Sequence, residues 1–123
     1  MTERKINETI RFFTEQMENY KSIAQRCHSD DREDEAVFAK IQCNVYGIFN
    51  SVFSVAVETA GQEEGKIAEF FLTRMEQIPR SWHTALANAE QRGETEKAHI
   101  ERLKLDAVAK IRAEFARIWR ISI

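Results

Sequence analysis

The sequence predicts an all-α protein, a single helical-bundle domain over residues 1–123. The expected fold is an antiparallel up-down-up-down four-helix bundle with a proline-kinked third helix. Three observations carry that expectation. Large apolar residues recur in steps of three and four through four stretches of about 25 residues. Glycine and proline are scarce, four and one in 123 residues, which favours long uninterrupted helices. No stretch alternates polar and apolar residues with the period of a strand.

Helix one is expected from about Thr2 to Cys27. Its stripe is Ile6, Ile10, Phe13, Met17, Tyr20, Ala24 and Cys27, close to a coiled-coil seam, with Glu3, Glu8, Glu15, Glu18, Lys21 and Arg26 on the other side. The turn that follows, HSDDRED from His28 to Asp34, is the only acidic cluster. Asp30 or Asp31 is expected to cap the next helix, and Glu33, Asp34 and Glu35 suit the positive end of its dipole. A calcium loop of the EF-hand kind spaces its oxygen ligands around a central glycine. That spacing is absent, so the cluster reads as a solvated capping loop.

Helix two, from about Asp34 to Ala60, contains the stretch on which the chain is organised. Ile41 to Val57, IQCNVYGIFNSVFSVAV, holds no charged residue in a chain that is 31% charged. Ile41, Val45, Ile48, Phe49, Val52, Phe53 and Ala56 mark one apolar face, widened by Tyr46 and Val57. The opposite side carries small polar groups, Gln42, Asn44, Asn50, Ser51 and Ser54, where a solvent-facing helix would place Lys and Glu. This helix is therefore expected to be covered on most sides, by its own chain or by a second copy. Phe49 and Phe53, four residues apart, belong at the centre of the core. Gly47 reads as a point of close helix approach, and Gly61 as a left-handed cap.

Helix three should begin between Gln62 and Gly65, with Ile67, Phe70, Phe71, Met75 and Ile78 inward. Pro79 removes a backbone donor and clashes with the preceding turn. Trp82, Ala85, Leu86 and Ala89 nevertheless continue the same face in phase, so one kinked helix to about Gln91 is expected, closed by Gly93. Helix four is expected from about Glu94 to Arg120, with the stripe Ile100, Leu103, Ala107, Ile111, Phe115 and Ile118, and with Leu105, Val108 and Trp119 on a flank.

Composition narrows the function classes. The apolar share of 43% is ordinary, and a net charge of −2 exerts no general pull on nucleic acid or anionic membrane. No apolar run approaches the ~20 residues of a membrane span. The opening MTERKINETI is charged from its third residue and does not read as a signal peptide, so a cytoplasmic location is expected. In a helical hairpin turning near Asp30, Cys27 and Cys43 are offset by about 15 Å, too far for a bridge. Buried thiols in a reducing compartment follow.

Three constellations point to chemistry. Glu96 and His99 have the Glu-x-x-His spacing of carboxylate-bridged di-metal bundles, which need that pair on two helices and further glutamates on the others. Here the pair occurs once, and helix two has no acid from Ala36 through Val57. Arg92 and His99 have the residue types used by some helical ribonucleases, but Gly93 places a chain reversal between them. The end of helix four is basic: Lys104, Lys110, Arg112, Arg117 and Arg120, with Arg102, are mixed with Phe115 and Trp119, which could stack on bases. No phosphate loop, serine elbow or Cys/His zinc pattern is present. The expected function is therefore non-catalytic, with no cofactor and no metal: protein–protein contact, as a homodimer. Its expected interface is Gly47, Asn50, Ser51, Ser54, Trp119, Ile121 and Ile123. The alternative is RNA or single-stranded DNA binding through the basic helix.

Overall fold

The computed structural model describes residues 2–122. They form five α-helices, α1 (Thr2–Ser29), α2 (Glu33–Ala60), α3 (Glu64–Gln77), α4 (Arg80–Gln91) and α5 (Thr95–Trp119), and no strand occurs among the described residues. Among the described residues no helix is long and apolar enough to cross a membrane.

α1 and α2 are joined by a turn whose geometry differs from the expected cap. Asp31 adopts a left-handed conformation, φ 58°. Its N–H donates to the His28 carbonyl, and the Arg32 N–H donates to the Cys27 carbonyl at 2.8 Å. This pair of bonds is a Schellman closure of α1. Asp31 therefore ends one helix instead of beginning the next. α2 starts at Arg32 without a side-chain cap, and its first-turn acids Glu33, Asp34 and Glu35 offset the dipole. The same closure recurs after α4, with Gly93 at φ 69° and the Glu94 N–H bonded to the Ala89 carbonyl. Arg120, at φ 55°, ends α5 in the left-handed region, with the Ile121 N–H reaching Ala116. Gly61 has positive φ as anticipated, but with ψ −125° it lies outside the left-handed helical region, in backbone space that glycine tolerates.

The expected third helix is two helices. Ile78 and Pro79 separate α3 from α4 while keeping right-handed helical dihedrals. The ladder is interrupted where proline has no N–H to give, yet the Ile78 N–H still reaches Arg74 and the His83 N–H reaches Pro79. The chain thus changes helix without a loop. Trp82, three residues past the proline, meets Phe49 edge-on at 6.4 Å and keeps α4 in touch with α2.

The core forms around α2. Tyr46, Phe49, Phe53 and Ala56 are fully buried. The Phe53 ring lies within 5.7–6.4 Å of Phe13, Phe71, Phe115 and Trp119, so one side chain meets aromatic rings from α1, α3 and α5. Most of these contacts are edge-to-face, the arrangement favoured by the ring quadrupole. Tyr46 stacks on Tyr20 at 5.6 Å, and burial pushes its phenol up to about 12.

On α1 the expected stripe is shifted by one residue at its start. Ile10 is 44% exposed, whereas Thr9 is buried. Thr9 takes the inner place because its hydroxyl is fully used. It donates to the Lys5 carbonyl at 2.7 Å and accepts the Trp119 indole N–H at 2.8 Å. A buried hydroxyl is tolerated when so satisfied. Lys5 Nζ then bonds Glu64 Oε2 at 2.7 Å, tying the start of α1 to the start of α3. That bond holds the Glu64 carboxyl below its ordinary value.

Replacing Phe53 by Ala removes the ring on which three helices converge, and should cost roughly 3–5 kcal/mol. Chemical denaturation should show a clearly lowered midpoint. A midpoint equal to wild type would mean that Phe53 is not the centre of the core.

Candidate functional site

α2 carries a second apolar stripe outside the core. Val37, Ile41, Asn44, Ile48, Ser51 and Val55 follow one another at steps of four and three, the spacing of one helical face. Val37 and Val55 are each 47% exposed and Ile48 is 40% exposed, while Ile41 is half-buried. With Ile10 these are the exposed large hydrophobic residues among those described, so three of the four lie on this face of this helix. Asn44 and Ser51 between them are exposed and uncharged. Lys40 and Glu58 stand at the two ends of the stripe, both exposed, and neither forms an ion pair among the described residues.

The two faces of α2 share residues adjacent in sequence. Ile48 neighbours Phe49, and Val55 lies two residues after Phe53, about 160° away around the helix. Ile48 was expected on the inner face and is not there. The inner arc is filled by Val45, Tyr46, Phe49, Phe53 and Ala56, and the neighbouring helices close around those. The signal that separates the stripes was available in the spacing of Val37, Ile41, Ile48 and Val55, but Phe49 next to Ile48 obscured it.

The expected interface residues divide. Ser51 and Ser54 are exposed and Asn50 is half-buried. Gly47 faces the chain's own α1: a Cβ built on it would lie 3.5 Å from Met17 Cε, an ordinary contact distance. Trp119 is 3% exposed, bonded to Thr9 and stacked on Phe115 at 5.1 Å, so it belongs to the core. Ile121 is partly buried against that core. Ile123 lies outside the described residues.

The basic helix also divides. Lys104 bonds Glu101 at 3.0 Å and lies over the Trp82 ring, Arg102 bonds Glu90 at 2.8 Å, and Arg117 pairs with Glu114. Lys110, Arg112 and Arg120 are exposed and outside those pairs. Phe115 and Trp119 are buried, which removes both aromatic platforms on which bases would stack. Glu96 and His99 are exposed, and the His99 ring meets Phe38 edge-on at 4.7 Å. Arg92 precedes the reversal at Gly93. Among the described residues no group of three or more His, Cys, Asp or Glu is placed to hold a metal ion. The acids of the first turn are paired within the turn instead, Asp30 and Glu35 with Arg32, and Glu33 with His28 Nδ1 at 2.7 Å. Cys27 and Cys43 are free, buried thiols, the first near Glu35 and the second near the Met17 carbonyl.

Compared with known proteins, the chain matches no family model, no curated protein and no solved structure.

Gly47→Ala places a methyl group at contact distance from Met17 and removes a helix-interior glycine, which should stabilise the fold by about 0.5–1 kcal/mol. A raised denaturation midpoint is expected. A lowered midpoint would show that α1 requires a closer approach than the Met17 contact indicates.

Proposed function

We propose that this protein acts by protein–protein contact and not by catalysis, as a homodimer formed through the outward face of α2. The observation that carries the reading is the exposed stripe Val37, Ile48 and Val55 on a helix with no charged residue from Ile41 to Val57. A row of exposed aliphatic side chains on an uncharged helix face suits a contact site, and a self-complementary one serves a two-fold dimer. Ser51 and Ser54 fit such a face as small groups that let another helix approach.

The scaffold in this reading is an antiparallel up-down-up-down bundle, with α3 and α4 together as a third limb bent at Pro79. It is supported by the pairings Phe13 with Phe53, Tyr20 with Tyr46, Phe49 with Trp82, and Thr9 with Trp119. Two free buried thiols suit a reducing, cytoplasmic setting.

Ile48→Glu tests the reading, because it puts a charge into the centre of the contact without touching the core. Light scattering after gel filtration should report a monomer, and circular dichroism should report wild-type helix content. Ser51→Glu should behave in the same way. If both variants keep the wild-type mass at every concentration, the face of α2 is not the contact.

A further inference from the structure

We infer that the two copies pair with their α2 helices antiparallel, the two-fold axis passing beside Ile48. This rests on the dimer reading above and adds its register. The inference comes from the placement of charge on the α1–α2 face. Lys40 and Glu58 are eighteen residues apart on α2, five full helical turns, so they stand on the same line at opposite ends of the apolar stripe. Glu3 and Lys21 have the same separation on α1.

α1 and α2 run side by side with their signs in step. Lys21 and Lys40 line one groove between the two helices, with Gln25, His28 and Asn44, and no acid lines it. At the far end, the bonds from Thr2 and Lys5 to Glu64 bring the start of α1 to the segment that follows α2, so Glu3 lies toward the Glu58 end. None of Glu3, Lys21, Lys40 and Glu58 forms an ion pair among the described residues. Lys21 and Lys40 thus stand toward one end of the face and Glu3 and Glu58 toward the other, with the apolar residues between; the α1–α2 turn beyond Lys40 also carries acids, of which Glu33 is bonded to His28.

A parallel pairing would set Lys40 against Lys40 and Glu58 against Glu58. An antiparallel pairing, with the two-fold axis perpendicular to the helices, sets each Lys40 against the other copy's Glu58, twice per dimer, since isologous contacts come in reciprocal pairs. Halfway between Lys40 and Glu58 is the level of Phe49, where Ile48 is the outward residue. Ile48 of one copy then lies against the Ile48–Ser51 turn of the other. Ile41 falls beside Val55 of the second copy, and the apolar residues match as the charges do.

Disulfide trapping reads this register. Single cysteines at Ile41, Ile48 and Val55 are introduced into a chain with Cys27 and Cys43 replaced by Ala, after helix content and midpoint have been checked. Ile41 and Val55 lie about 12 Å and about 9 Å from the axis. Each is therefore too far from its own counterpart to bridge, the limit between Cα atoms being about 7 Å. Only Ile48→Cys should cross-link to itself, and Ile41→Cys should cross-link when mixed with Val55→Cys.

Charge reversal supplies an independent readout. Lys40→Glu and Glu58→Lys should each weaken association roughly tenfold, and the double variant should restore it. Self-cross-linking at all three positions would mean a parallel pair and would overturn the register while leaving the dimer intact. A wild-type dimer with no cross-link at any position would overturn the register and the use of this face. A strict monomer, with no cross-link anywhere, would remove the dimer reading itself.

Discussion

The aromatic packing around Phe53 is the interaction on which the rest of the molecule depends. α1, α3 and α5 each reach it with a ring, Phe13, Phe71 and the stacked pair Phe115 and Trp119. Removing water from so many large faces contributes strongly to the hydrophobic driving force of folding. Directional bonds then fix what burial alone would leave loose. The Trp119 indole bonds Thr9, and Lys5 bonds Glu64, so the beginning of α1, the beginning of α3 and the end of α5 are joined at one end of the bundle. α4 depends on this centre less directly. It meets α2 through Trp82 on Phe49 and α5 through Arg102 on Glu90.

α2 answers to two requirements that occupy different arcs of one helix. Its inner arc is aromatic and closed by its own chain. Its outer arc is aliphatic, β-branched and free of charge at its centre. Gly47 lies on the border between the two, against Met17, where a methyl group would sit at ordinary contact distance. Because the arcs are separate, a substitution on the outer arc leaves the aromatic core of the inner arc untouched.

Much of this was legible in the sequence, for a physical reason. Burial follows helical spacing, and the spacing of Phe49, Phe53, Ile67, Phe71, Met75, Ile111 and Phe115 is regular enough to place them all inward. Most helix bounds followed from the same pattern and from Gly93, the break at Pro79 excepted. What escaped depended on partners far along the chain. Thr9 displaces Ile10 from the interior only because Trp119, 110 residues later, supplies a donor for its hydroxyl. The same bond draws Trp119 inward, away from the interface assigned to it. Asp31 was read as an acceptor for the next helix, whereas its backbone tolerates the left-handed turn that closes the previous one. Pro79 ended a helix because its missing donor outweighed the continuity of apolar phase. The outer stripe of α2 was partly hidden, since Ile48 adjoins the buried Phe49 and was grouped with it on the inner face.

The claim at the centre is that α2 joins two copies of this chain as well as organising one. Sedimentation equilibrium of the unmodified protein, from low to high micromolar concentration, addresses it without any substitution. The mass should rise with concentration from 14.3 kDa toward twice that value, as mass action requires of a reversible dimer, or stand at twice that value throughout if the dimer is tight. A mass fixed at 14.3 kDa over the whole range would contradict it.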